Sequence, residues 1–187
     1  MYANDFNGHY TAPSWRMAPG RNDSDRNSTD DDVSWLYPTY VAALKSFTCP
    51  SAKHEIRTNM LYKSATEKVY ADLVLRAARR NTNGHSYEVS GNFRPGKKTE
   101  RTVASFTITQ FSKALGSKPG ASGVMLMLDG DDTYPSGNPN DRNDYPDSPD
   151  DNHGADGGNM NFCDGHAEWV PQGRYEYVLK LANDGSD

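Results

Sequence analysis

The tightest constraint on this 187-residue chain lies in residues 153–170. Two short runs there, 159–163 and 166–170, flank the dipeptide Asp164-Gly165. Asp-Gly between alternating runs favours a two-residue hairpin, because a type I′ turn needs positive φ at both central residues. Such a turn pairs Cys163 with His166, Phe162 with Ala167, Asn161 with Glu168 and Met160 with Trp169. Side chains alternate faces along a strand. The expected apolar face therefore carries Met160, Phe162, Ala167 and Trp169. The expected wet face carries Asn161, Cys163, His166 and Glu168. A hairpin split in this way belongs to an antiparallel sheet with one face on a core.

The acidity of the chain sits in Asp rather than Glu. Of 25 acidic residues 19 are Asp, and the net charge is −5. Asp prefers caps, turns and metal sites, whereas Glu favours helices, so the acidity belongs to loops. No basic stripe answers a phosphate backbone, which argues against nucleic acid as a partner. Nine Asp, four Asn and four Pro fall within residues 129–156, where almost nothing is apolar. A loop of that length is uncommon inside a compact domain and is usually functional or mobile. With an apolar fraction of 35%, residues 1–187 are expected to form one domain with a modest core. No apolar run approaches the ~20 residues that span a bilayer, and the first residues lack a signal-peptide pattern.

Elsewhere the signals are local. Residues 1–10 read as the last turns of a helix stopping near Asn7-Gly8, with glycine as the cap. Asp30, Asp31 and Asp32 read as an N-cap and first-turn charge for a helix entering at Val33. Pro38 allows a turn before it and a short helix after it. Residues 64–81 carry the clearest helical pattern, with a Ser64/Glu67 capping box and a stripe of Ala65, Val69, Leu73 and Ala77. Strands are expected at 85–92, 101–108 and 123–128, the last, continuously apolar, as the central one. A short helix is expected at 109–115 and a closing helix at 174–181. Two cysteines, Cys49 and Cys163, are too few to define a disulfide framework. A bond between them would close a loop of more than a hundred residues. The expected wet-face position of Cys163 argues against it.

Several of these stretches, in order, resemble the bacterial prepilin-type, pseudopilin-G-like proteins, whose C-terminal signature is His, nine residues, then Asp-Gly. Residues 2–10 resemble the end of that family's long N-terminal helix. Trp35 to Val41, followed by Phe47-Thr-Cys-Pro-Ser51, is similar to its Trp- and Cys-Pro-Ser-bearing blocks. Ser86-Tyr87 with Gly91-Asn92, and Val124 to Asp129, resemble two further blocks. His153 to Trp169, including Gly158, Asn159, Asp164, Gly165 and His166, resembles the signature itself, with ten residues rather than nine between His153 and Asp164. The resemblance implies an α+β fold: a pilin-like antiparallel sheet with a helix packed on one face, and a long Asp-rich loop before the C-terminal hairpin at 159–170. It also implies that the chain is the soluble head of a longer protein. A leader and stem helix would precede it and anchor it in the inner membrane, facing the periplasm or cell surface.

Calcium is the metal this composition suits, since it takes ~6–8 oxygens from a pliable loop. The candidate ligands are Asp129, Asp131, Asp132 and Asp164, and the resemblance adds weight because such heads are often calcium-stabilised. The same Asp and Asn residues also make an ordinary solvated loop, and both readings stand. Asp164-Gly165 reads as a turn rather than a catalytic pair. A transition metal at His153 or His166 with Asp164 or Cys163 has no H-x-x-x-H or C-x-x-C spacing behind it. The resulting expectation is a non-enzymatic structural subunit of a pseudopilin-like filament, with other pilin-like subunits or secretion machinery as partners. The alternatives are a calcium-dependent carbohydrate- or surface-binding module and, from Asp129-Gly-Asp131, a metal-dependent transferase.

Overall fold

The computed structural model describes residues 2–11, 32–63, 68–74, 83–93, 96–130, 142, 144–149 and 151–186. Its strands are β1 (Leu61–Lys63), β2 (Lys68–Tyr70), β3 (Tyr87–Val89), β4 (Asn92–Phe93), β5 (Gly96–Lys97), β6 (Met125–Asp129), β7 (Gly157–Phe162) and β8 (Ala167–Pro171). Its α-helices are α1 (Tyr2–Asp5), α2 (Ala71–Val74), α3 (Glu100–Ser105), α4 (Gly120–Gly123) and α5 (Gln172–Asn183). The class is α+β. A four-stranded antiparallel sheet runs β3-β6-β7-β8, with β1-β2 and β4-β5 as separate hairpins. The apolar run ending at Asp129 forms the interior strand β6, as expected of it.

The main core lies between the sheet and α5. Met125, Leu128, Met160, Phe162 and Val170 pack on Tyr175, Val178 and Ala182. Met125 and Leu128 are three apart, yet both face the helix. A strand allows this only where it takes in an extra residue, and the register shift between Met125 and Met127 supplies it. Met127 consequently turns to the other side, against the cluster of Val33, Phe47, Leu73 and Val89.

The hairpin differs from expectation by one residue. The observed pairs are Met160↔Glu168, Asn161↔Ala167 and Asn159↔Trp169. Phe162 N–H donates to the His166 carbonyl, and Gly165 N–H donates to the Phe162 carbonyl, both at 2.9 Å. The loop is thus three residues, Cys163-Asp164-Gly165, and positive φ is needed only at Gly165 (92°). The Asp164 side chain accepts from His166 N–H at 3.1 Å, an Asx turn that stabilises this longer loop. A one-residue slip exchanges faces. Trp169 and Ala167 are therefore exposed, Trp169 at 44%. Val170 and Cys163, by contrast, are buried. Met160 and Phe162 remain in the core as expected.

Four other expectations give way. Residues 101–108 are not a strand: α3 starts at Glu100 because Thr99 and Thr102 cap each other reciprocally. Within 64–81, residues 75–81 lie outside the described residues, Lys68–Tyr70 is a strand paired with Leu61–Lys63 rather than helix, and the helix described there is Ala71–Val74. Its backbone is drawn into bonds with other segments, since Val33 N–H donates to the Leu73 carbonyl and His85 N–H to that of Asp72. Ser64, Ala65, Glu67 and Ala77 lie outside the described residues. Around the cis Tyr37-Pro38 bond the chain forms short 3₁₀ turns at Ser34–Leu36 and Leu44–Phe47 in place of a helix. Val33, not Asp32, is the cap residue of the first turn; Asp32 lies one residue earlier and accepts Ser34 N–H at 2.9 Å, while Asp30 and Asp31 lie outside the described residues. The 109–115 segment is a 3₁₀ turn, Ser112–Ala114. At the N-terminus α1 ends at Asp5 and the chain turns away at Asn7 and Gly8, both at positive φ. Tyr2 stacks on Phe6 and meets Trp35 and Tyr40 edge-on.

Candidate metal centre

Three segments far apart in sequence meet where β6 ends. Asp129 is the last residue of β6, opposite Tyr87 on β3. On its other side β7 supplies Asn159, whose backbone N–H and Nδ2 donate to Asp129 Oδ2 at 2.6 and 2.9 Å. His153 precedes the 3₁₀ turn Gly154–Asp156 that leads into β7. Cys49 follows the 3₁₀ turn Leu44–Phe47 and is fixed by its backbone N–H to Ser86 Oγ at 2.8 Å. Ser86 joins the parts: its N–H donates to the Phe47 carbonyl, and its own carbonyl accepts Gly130 N–H and Asn152 Nδ2, both at 2.7 Å.

The convergence is on one atom. His153 Nε2 lies 3.1 Å from Asp129 Oδ2, 3.3 Å from Cys49 Sγ and 3.2 Å from Asn159 Nδ2. Thiol, carboxylate and imidazole atoms all fall within 4.8 Å of one another. Cys49 and Asp129 are buried and His153 is half-buried, its ring edge-on to Trp169 at 5.1 Å. Burial pushes the Cys49 thiol up, and the Asp129 charge adds to this against the lowering effect of Ser51 N–H. Burial, with the same carboxylate, pushes Tyr87 up to about 12. Asp129 Oδ1 is buried and has no hydrogen-bond partner.

This is not the geometry of a nucleophilic triad, in which the nucleophile and the carboxylate face opposite nitrogens of the ring. Here both face Nε2. Nor does the donor set fit calcium, which asks for several oxygens and no sulfur. Of the expected calcium ligands, Asp131 and Asp132 lie outside the described residues. Asp164 sits at the hairpin tip, beyond the far end of β7 and ~10 Å or more from Asn159 by strand rise. It is held there by His166 Nδ1 at 2.6 Å. The bonds from His166, backbone N–H first, hold its carboxyl below the ordinary range.

The signature residues divide into two groups. Gly158, Asn159 and Trp169 surround Asp129 and His153, whereas Asp164, Gly165 and His166 form the hairpin tip. Gly158 makes close approach possible, because a Cβ there would lie 3.3 Å from the Tyr175 ring and 3.4 Å from Asp129. Both cysteines are free. Cys163 is buried with Phe93, Val103 and Val124, so the wet-face argument about it does not hold. Sequence reasoning did not group Cys49, Asp129 and His153. Their separations, 80 and 24 residues, carry no local signal. The last part of the Asp-rich loop is packed rather than loose: Tyr145 meets Tyr175 edge-on and its hydroxyl donates to the Gln172 carbonyl at 3.2 Å.

No family model matches the chain, and no curated protein or solved structure is significantly similar to it.

Proposed function

We propose that this chain is the globular head of a pseudopilin-like filament subunit, a structural component of a secretion or pilus-type assembly outside the cytoplasmic membrane. One observation carries the reading. The sequence blocks that resemble the family lie far apart in the chain, yet four of them meet at one place. Phe47 and Cys49 bond to Ser86, Gly130 and Asn152 bond to the same Ser86, and Asp129 holds Asn159. Residues that form one packed unit are what a shared domain architecture requires. The antiparallel sheet with α5 on one face is compatible with a pilin-type head. The helix α1 joins the body through the Tyr2–Trp35 contact, and the segment after it through Glu100 N–H to the Gly8 carbonyl, as the end of a stem would. Among the described residues no helix is long and apolar enough to cross a membrane.

The test is fractionation of the producing cells with an antibody to this chain. Detection in filaments sheared from the surface, lost when the assembly ATPase is deleted, is the expected result. Recovery only as a free monomer, unaffected by that deletion, overturns the reading.

A further inference from the structure

We propose that Cys49, Asp129 and His153 bind a divalent transition-metal ion of the zinc class, through Sγ, a carboxylate oxygen and Nε2, with a fourth position left for water. The site stands on its own geometry and holds whether or not the chain is a filament head.

Distances set the first argument. Tetrahedral zinc with bonds of about 2.0–2.3 Å places a nitrogen and an oxygen ligand about 3.4 Å apart, and a sulfur and a nitrogen about 3.6 Å apart. The observed separations are 3.1 Å for His153 Nε2 to Asp129 Oδ2 and 3.3 Å for His153 Nε2 to Cys49 Sγ. Small outward shifts admit the ion.

Hydrogen-bond accounting gives the second. Nε2 carries at most one hydrogen, while the Cys49 thiol and the Asp129 carboxylate both face it, the Asn159 amide being already engaged with Asp129 Oδ2. One N–H cannot satisfy that set, whereas a cation draws the sulfur, nitrogen and oxygen lone pairs inward together.

The third is the unpartnered oxygen. Asp129 is only 5% exposed in its side chain, with Oδ2 held by Asn159 and Oδ1 lacking any hydrogen bond. Buried carboxylate oxygens are rarely left so. With Oδ2 on the ion, the water at the fourth position becomes the partner for Oδ1, and Asn159 becomes the outer support that orients the carboxylate. Ser51 N–H to Cys49 Sγ at 3.4 Å does the same for the sulfur. A cavity of about 10 Å³ bordered by Asp129, His153, Gly157, Gly158 and Tyr175 has room for one water.

The thiolate selects against calcium and magnesium and for the zinc class. Binding displaces the Cys49 thiol proton to solvent.

The experiment uses the whole chain stripped with a chelator, then titrated with zinc against a chromophoric competitor and, separately, with cobalt(II). One equivalent of zinc per chain and a near-ultraviolet thiolate-to-cobalt band are expected. Cys49→Ser abolishes the band and weakens zinc binding by more than about 100-fold, beyond the usual cost of losing an outer support. His153→Gln, at a half-buried ring, weakens binding similarly with an unchanged far-ultraviolet spectrum, and carries the test if Cys49→Ser fails to fold. Millimolar calcium leaves the band in place. No saturable zinc binding in a folded protein, binding unaltered in both variants, or displacement of cobalt by calcium each overturns the proposal.

Discussion

Phe162 donates its backbone N–H to the His166 carbonyl at 2.9 Å, and the two rings stack with centroids 4.4 Å apart and planes 4° from parallel. That pairing closes the three-residue loop and decides which side chains of the hairpin reach α5. With Phe162 opposite His166, Met160 and Val170 face the helix and Trp169 faces outward. A two-residue loop would have put Trp169 inside and Val170 outside.

The energetic consequence is a contrast between neighbours. Met160→Ala and Phe162→Ala each remove a side chain exposed by 2% or less and are expected to cost about 3–4 kcal/mol. Trp169→Ala, at a 44% exposed position, is expected to cost about 1 kcal/mol or less despite deleting more atoms. Urea midpoints for the three variants check this. A Trp169 loss as large as that of Phe162 would indicate the other register.

Turn chemistry, apolar runs and helix ends were legible in the chain because each is written within a few residues. Val124 to Leu128 announced an interior strand, Asp164-Gly165 a hairpin and Asn7-Gly8 a helix stop. Register was not legible. Choosing between two loop lengths needs the shape of the surface beneath, where branched Val170 fits against α5. The alternation of residues 101–108 imitates a strand, and only the reciprocal Thr99–Thr102 cap, with Thr where Glu or Gln is usual, starts a helix there. The metal cluster was invisible for a different reason. Metal motifs are recognised by short spacings, and Cys49 and His153 lie 104 residues apart, brought together by Ser86 rather than by local chain geometry.

Two glycines beside the hairpin carry different constraints. Gly157 has φ 141°, and a Cβ there would stand 2.3 Å from the Val170 carbonyl oxygen and 2.9 Å from Pro171 Cα. Both neighbours are backbone of β8, so relief requires parting β7 from β8. Gly165 has φ 92° with open space around it. Gly165→Ala is expected to cost about 1 kcal/mol from its left-handed backbone alone. Gly157→Ala is expected to cost at least about 3 kcal/mol, in the range of severe overpacking. Thermal melts of the two proteins decide, and equal losses would contradict the close approach at Gly157.

Asp72 is buried and takes three bonds from Arg57: backbone N–H at 2.8 Å, Nε at 2.8 Å and Nη2 at 2.7 Å. Burial alone would raise its pKa; the side-chain and backbone bonds from Arg57 together outweigh that and hold the carboxyl below its ordinary value. The sign follows. A carboxylate whose folded pKa is depressed contributes stability above the unfolded pKa of ~4 and loses it as pH falls through the folded value. Asp72→Asn places an amide N–H against the guanidinium and is expected to cost about 2 kcal/mol at neutral pH. Its acid-unfolding curve should be shallower below pH 4 than that of the native protein. An unchanged acid limb would mean that Arg57 does not hold the charge.

Lys98 provides the converse case at alkaline pH. Its Nζ is fully buried, donating to Met125 O at 2.7 Å and Ser90 Oγ at 2.8 Å, and burial pushes its pKa down to about 7, partly opposed by Cys163. Unfolded lysine titrates near 10.4. Between about 7 and 10 the unfolded chain therefore binds the proton and the folded chain does not, so stability rises with pH at up to about 1.4 kcal/mol per pH unit. Cys163 acts in the opposite sense. Burial raises its thiol to about 11, so above its ordinary value near 8.5 the folded state is the one that retains the proton. The lysine effect is thus read cleanly between pH 7 and 8.5, and Cys163→Ala should extend the rise to higher pH. Lys98→Met keeps the length of the side chain without its charge. The expected result is that the difference in unfolding free energy between native protein and variant grows in favour of the native chain across that window. A difference that is flat with pH would show Lys98 to be charged in the folded protein.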